Sequence, residues 1–176
     1  MSDALKYFFP LAFAFRLGTL FLSIRHEKTL KRDGAKEYGA KNSVALAIAH
    51  TTFYIALVVE ASLRHTAIDS ISYIGFTLYA ISVLAMLLVI RTLGRLWTVK
   101  LLIAKDHVLI ATPLFRAVRH PNYFLNILPE LVGLSLVFHA FWTLAIGLPL
   151  YLIPLSIRIR EEEAVMKKQF RDYGAM

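Results

Sequence analysis

The chain has 176 residues, 57% of them hydrophobic and 18% charged, with a formal charge of +8 and no cysteine. Soluble domains run at about 45–50% apolar and about 25% charged, so at a mean hydropathy of +0.58 a soluble fold of this size would leave a large apolar surface in water. High hydrophobicity excludes a disordered chain, and the missing cysteine excludes a disulfide scaffold, a thiolate metal site and a cysteine nucleophile. What remains is an all-α, polytopic membrane protein, read as one membrane-embedded unit over residues 1–176.

In chain order, the first apolar block covers 5–24, interrupted by Lys6, Arg16 and Gly18. Its basic residues follow the apolar core, against the pattern of a cleaved signal peptide. Blocks at 43–63 and 71–90 are cleaner. The segment 91–121 is the one soluble-looking insert. Within it, apolar runs at 97–103 and 107–115 flank Ala104-Lys105-Asp106, the pattern of an extended hairpin or interfacial loop. The last block, 123–157, exceeds the roughly 20 residues that cross a bilayer. It reads as a hairpin of two spans, 122–138 and 140–158, turning near His139, which makes five spans. The tail, 159–176, reads as helix until Gly174.

Charge placement sets the orientation. Six Lys/Arg lie in 25–41, six in 91–119 and five in 158–171, against only Lys6 and Arg64 on the other side. Positive-inside bias therefore puts the N-terminus outside and the basic loops and tail in the cytoplasm. The net positive charge belongs to this topology and to anionic lipid headgroups. It does not call for nucleic acid.

Ionisable side chains inside apolar spans carry a desolvation cost and mark functional positions. Arg16 lies mid-span and needs a partner, either Glu130 or Glu60. His50 reads equally as a satisfied structural histidine or a ligand. Asn126 and Glu130, four residues apart, share one helix face, which fits a polar cavity or helix–helix hydrogen bonding alike. The scattered histidines show no metal-binding spacing, and no nucleophile elbow or glycine-rich phosphate loop is present.

The stretch Arg116-Ala117-Val118-Arg119-His120-Pro121-Asn122-Tyr123 is the most informative. Pro121 is placed to begin the fourth span. That leaves Arg119 and His120 beside a helix N-terminus, where an anion is favoured; snorkelling boundary residues would look the same. At the other end of the hairpin, Arg158, Glu162 and Met166 lie on one helical stripe, and Glu163 precedes Lys167 by one turn. The hairpin makes His120 and Glu162 neighbours, so a zwitterionic ligand such as an amino-acid head would match.

Arg119-His120-Pro121-Asn122-Tyr123 followed by Arg158-Ile159-x-x-Glu162-Glu163-x-x-Met166 resembles the isoprenylcysteine carboxyl methyltransferase family of integral membrane enzymes. Arg16-Leu17, Arg25-x-Glu27, Gly34-Ala35-x-Glu37-x-Gly39, His50, Glu60, Asn126 and Glu130 are similar to a bacterial branch that accompanies type III polyketide synthases and O-methylates alkylpyrones or alkylresorcinols. His26, Asn42-Ser43 and Ala111-Thr112-Pro113-Leu114-Phe115 depart from that branch's pattern.

The resemblance implies S-adenosylmethionine as cofactor. Arg119, His120 and backbone N–H groups behind Pro121 would hold its carboxylate, and Glu162 and Glu163 its ammonium or ribose hydroxyls. Tyr123 and Trp97 would flank adenine or sulfonium, with Arg158 beside them. The acceptor would be a lipophilic molecule entering from the bilayer of a bacterial cytoplasmic membrane. Glu130 or His50 would act as base, Arg16 would face an anionic acceptor, and Asn126 would complete the catalytic set. No metal is implied. Competing readings are a phospholipid or amine N-methyltransferase, a thiol methyltransferase, and a non-enzymatic membrane protein or small transporter.

Overall fold

A computed structural model describes residues 3–64, 67–104 and 112–170. The fold is essentially all-α. Among the described residues four helices are long and apolar enough to cross a membrane, Leu5–Arg32, Ala40–Leu63, Ser70–Leu96 and Thr143–Gln169, and Asn122–Val137 is a shorter apolar helix. Large apolar side chains such as Leu11, Ile48, Ile74, Leu84 and Ile153 point outward, as lipid permits and water does not.

Helix α1 (Asp3–Arg32) continues well past its expected end at 24. Residues 25–32 contain good helix formers and neither Gly nor Pro, so nothing in them stops a helix at the membrane boundary. It ends at Gly34, whose φ of 89° lets Ala35 N–H reach Leu30 O at 2.9 Å and Gly34 N–H reach Lys31 O at 3.1 Å, a Schellman closure. Strand β1 (Lys36–Tyr38) follows, then α2 (Ala40–Leu63) and α3 (Ser70–Leu93).

The described part of the 91–121 insert joins the segment that follows α1. Its strand β2 (Leu101–Ile103) pairs antiparallel with β1, Lys36 opposite Ile103 and Tyr38 opposite Leu101. All three β2 residues are buried, and the cover comes from the end of α1 and the turn after it, where Leu30 and Ala35 pack with Leu102 and Ala104. Lys100 reaches Glu27 at 2.6 Å, and Lys31 bridges Glu27 at 2.7 Å and Glu37 at 2.5 Å. The expected second arm, 107–115, lies outside the described residues up to 111; from there the chain forms a short helix α4 (Pro113–Ala117).

The C-terminal hairpin is present. A π-helical turn, Asn122–Ile127, leads into α5 (Leu128–Val137), and a second, Thr143–Gly147, leads into α6 (Leu148–Gln169). The chain reverses at His139, which adopts φ 53°. Ala140 N–H bonds Ser135 O at 2.8 Å, while His139 Nε2 lies 3.0 Å from Asp69 Oδ1 and 3.1 Å from Ser72 Oγ. Those contacts hold a non-glycine residue in the left-handed region.

Helices α3 and α5 nearly touch along their backbones. A Cβ on Gly75 would lie 2.7 Å from Gly133 O, and one on Gly133 would lie 2.8 Å from Tyr79 N. Small residues at such a crossing provide the van der Waals contact that associates helices in lipid. Leu57, Leu131, Leu134, Val137 and Leu155 fill the core between α2, α5 and α6.

Candidate active site

Pro121 opens the helix that runs into α5, and both Tyr123 N–H and Phe124 N–H bond back to His120 O. This places the buried His120 ring beside α6. Its Nε2 lies 3.2 Å from Glu163 Oε1 and its Nδ1 3.5 Å from Glu162 Oε1. Burial alone would lower the His120 pKa, but the bonds and charges of Glu162 and Glu163 outweigh it and hold the imidazole above its ordinary value. Tyr123 stacks on His120 at 5.7 Å and donates its hydroxyl to Glu162 Oε2 at 2.6 Å.

Arg158 is buried below this cluster as a strut. It donates through Nε to the Tyr123 hydroxyl at 3.3 Å, through one terminal nitrogen to Ser43 Oγ at 2.8 Å, and through the other to Val99 O at 2.9 Å. Each of its three nitrogens is thus engaged by protein. Ser43 lies in the first turn of α2 and Val99 in the segment between α3 and β2, so Arg158 ties both to α6. Glu161 tightens the same corner: it accepts from Asn42 Nδ2 at 3.3 Å, and a Cβ on Gly39 would strike its carboxylate. Arg119 is half-exposed, 4.0 Å from Glu163, and Lys167 bonds Glu163 at 2.8 Å.

A cavity of about 630 Å³ begins at this cluster. Trp97, Val99, Tyr123 and Arg158 line this end of it. Its mouth lies between α1 and α2, where Phe13, Leu17 and Leu20 face Ile55, Val58 and Val59, all accessible to lipid. Arg16, His50, Tyr54, Asn126 and Tyr151 form its polar inner wall.

Of the two partners expected for Arg16, the fold selects Glu130, at 3.2 Å. The other Glu130 oxygen accepts the Tyr54 hydroxyl at 2.5 Å. Glu60 caps the second half of the hairpin instead, accepting from Trp142 N–H, Thr143 N–H and Thr143 Oγ1 and pairing with Arg64 at 3.2 Å. Asn126 and Glu130 are both buried, yet only Asn126 lines the cavity. Asn126 donates to Asn122 Oδ1 at 3.2 Å and approaches Met86 Sδ at 3.3 Å. Glu130 stands behind Arg16 and Tyr54.

His50 lines the cavity, with Nδ1 3.4 Å from the Tyr151 hydroxyl. Two buried polar atoms on the cavity-lining residues have no hydrogen-bond partner, His50 Nε2 and Trp97 Nε1. Sequence reasoning missed Tyr54, Tyr151, Ser43 and Val99. Tyr54 alone left a signal, a polar-tipped residue one turn after His50 within an apolar span. Among the described residues no group of three or more His, Asp or Glu gathers as a metal site.

A bundle of long apolar helices with an apolar cavity that ends at a charged cluster defines an integral membrane protein. The profile of the isoprenylcysteine carboxyl methyltransferase (ICMT) family matches residues 73–168, more than half of the chain. A Haemophilus influenzae protein described as an uncharacterized protein is 44% identical over 162 residues, 92% of this chain and 94% of that protein. The uncharacterized protein YpbQ of Bacillus subtilis is 25% identical over 154 residues, 87% of this chain and 90% of its own. No solved structure gives a significant match. The chain belongs to the ICMT family of membrane methyltransferases.

Proposed function

We propose that the protein transfers a methyl group from S-adenosylmethionine to an oxygen of a lipophilic acceptor, a carboxylate or an enol or phenol hydroxyl. The acceptor classes are alkylpyrones, alkylresorcinols and isoprenoid-like lipids. One observation carries this reading: a single cavity opens to lipid between α1 and α2 and ends at Tyr123, whose hydroxyl holds Glu162. It joins a place for an oily acceptor to a place for a charged cofactor.

The residues fit S-adenosylmethionine. Glu162 and Glu163 match an ammonium or ribose hydroxyls, Arg119 and His120 match a carboxylate, and the unpartnered Trp97 indole N–H is a donor left for a ligand. When bound, the cofactor supplies a methyl group already activated by its sulfonium. The protein's work is then alignment and exclusion of water. Tyr123 and Arg158 hold Glu162 in place, and the apolar wall excludes water. In this reading the basic loops face the cytoplasm of a bacterial inner membrane, surrounding lipids deliver the acceptor, and a type III polyketide synthase is its source.

Calorimetric binding of S-adenosylmethionine and S-adenosylhomocysteine to protein in nanodiscs tests the cofactor. Micromolar binding lost in Glu162→Ala and His120→Ala supports the assignment, and no binding to the unaltered protein overturns it. Mass spectrometry of methylated alkylpyrones and alkylresorcinols then tests the acceptor.

A further inference from the structure

A buried polar atom without a partner requires an explanation, and His50 Nε2 is such an atom, buried on a side chain that lines the cavity. The imidazole is held between two tyrosine rings, Tyr54 at 5.0 Å and Tyr151 at 5.7 Å. An Nδ1–H donated to the Tyr151 hydroxyl, 3.4 Å away, leaves the Nε2 lone pair free. We propose that His50 is the proton acceptor of this enzyme: Nε2 takes the proton of an acceptor hydroxyl bound at the inner end of the cavity, and Tyr151 positions the ring. The proposal deepens the reading of this cavity as the acceptor site and rests on it.

The other buried base does not compete. Glu130 has one oxygen on the Tyr54 hydroxyl and the other facing Arg16, and it does not line the cavity. Its role is the counter-charge to Arg16. In the transfer the acceptor O–H bond breaks, its electron pair stays on oxygen, and an N–H bond forms at Nε2. Imidazolium and oxyanion arise together beside an Arg16–Glu130 pair that is already neutral, so the net charge of the pocket does not change. A carboxylate acceptor brings no proton and leaves Nε2 unpaired. The charged and titratable groups around the ring are Arg16 of α1, Tyr54 of α2, Glu130 of α5 and Tyr151 of α6. Tyr79 of α3 acts on the same ion pair.

The test uses a nitrophenol bearing a long alkyl chain, whose phenolate absorbs visible light, added to protein in nanodiscs with S-adenosylhomocysteine. The unaltered protein binds it as phenolate at a pH where the free probe is mostly protonated. In His50→Gln the bound phenolate-to-phenol ratio falls about tenfold, equivalent to a one-unit shift in the probe's ionisation. An unchanged ratio in a His50→Gln protein that still binds the probe overturns the role of His50 and leaves the cavity as acceptor site. Failure of the unaltered protein to bind the probe overturns both, while S-adenosylhomocysteine binding, measured separately, reports on the methyltransferase reading. Should His50→Gln not fold, Tyr151→Phe decides: a reduced ratio supports the proposal, and an unchanged one overturns it.

Discussion

The Tyr123 hydroxyl donates to Glu162 at 2.6 Å and accepts from Arg158 at 3.3 Å, so one phenol connects the start of one helix to two successive turns of another. Tyr123→Phe deletes both bonds and leaves a buried guanidinium and a carboxylate each short of one partner. Hydrogen bonds to charged groups contribute about 1.5–3 kcal/mol, so S-adenosylhomocysteine affinity should fall by about tenfold or more. Calorimetry on Tyr123→Phe beside the unaltered protein reads this directly, and an affinity within twofold would remove Tyr123 from the site.

The His120 cluster makes stability depend on pH. The folded pKa of His120 is raised, after its burial is outweighed by Glu162 and Glu163. Its stabilisation is therefore fully present below the unfolded value of about 6.5 and is lost as pH rises through the folded value. Thermal unfolding across that window should show the unaltered protein losing its advantage over His120→Gln as the solution becomes alkaline. Two parallel curves would contradict this.

Arg16 and Glu130 form a partly buried ion pair inside the bundle. Removing one member of a buried pair costs about 3–5 kcal/mol because the other charge is stranded, whereas replacing both is far milder. Arg16→Met and Glu130→Gln should each lower the melting temperature strongly. The double variant should recover much of the loss, giving a favourable coupling in a double-mutant cycle. Simple additivity would mean the two side chains do not sense each other.

The glycines divide by what surrounds them. A Cβ at Gly75 meets backbone atoms of α5 at 2.6 and 2.7 Å, whereas one at Gly18 meets nothing within 4 Å. Gly75→Ala should destabilise by about 1–3 kcal/mol through overpacking. Gly18→Ala should stabilise α1 by about 0.5–1 kcal/mol through backbone entropy. Detergent melts of the two single variants separate these signs.

Much of the architecture is legible without coordinates, and the reason is solvent. Lipid demands long apolar helices, so composition and run length reveal the bundle, and a 35-residue apolar block has to double back. The hairpin then requires His120 and Glu162 to meet, since the start of one arm lies beside the end of the other. Arg16 also declares itself, because a mid-membrane guanidinium needs a counter-charge.

Which partner each group takes is a different matter, because pairing depends on helix rotation and on register. The π-turn at Asn122–Ile127 is invisible to a 3.6-residue reading; it contains Asn126, which lines the cavity, and ends before Glu130, which does not. The choice of Glu130 over Glu60 for Arg16, the engagement of Arg158 with Ser43 and Val99, and the pairing of β1 with β2 all join segments far apart in the chain. The sequence by itself determined the solvent, the class of fold and the residues that carry charge into it. Tertiary structure alone decided which of those charges neutralise one another and which polar atoms of the cavity-lining residues, His50 Nε2 and Trp97 Nε1, are left without a partner, because that outcome is set by three-dimensional packing and not by any periodicity along the chain.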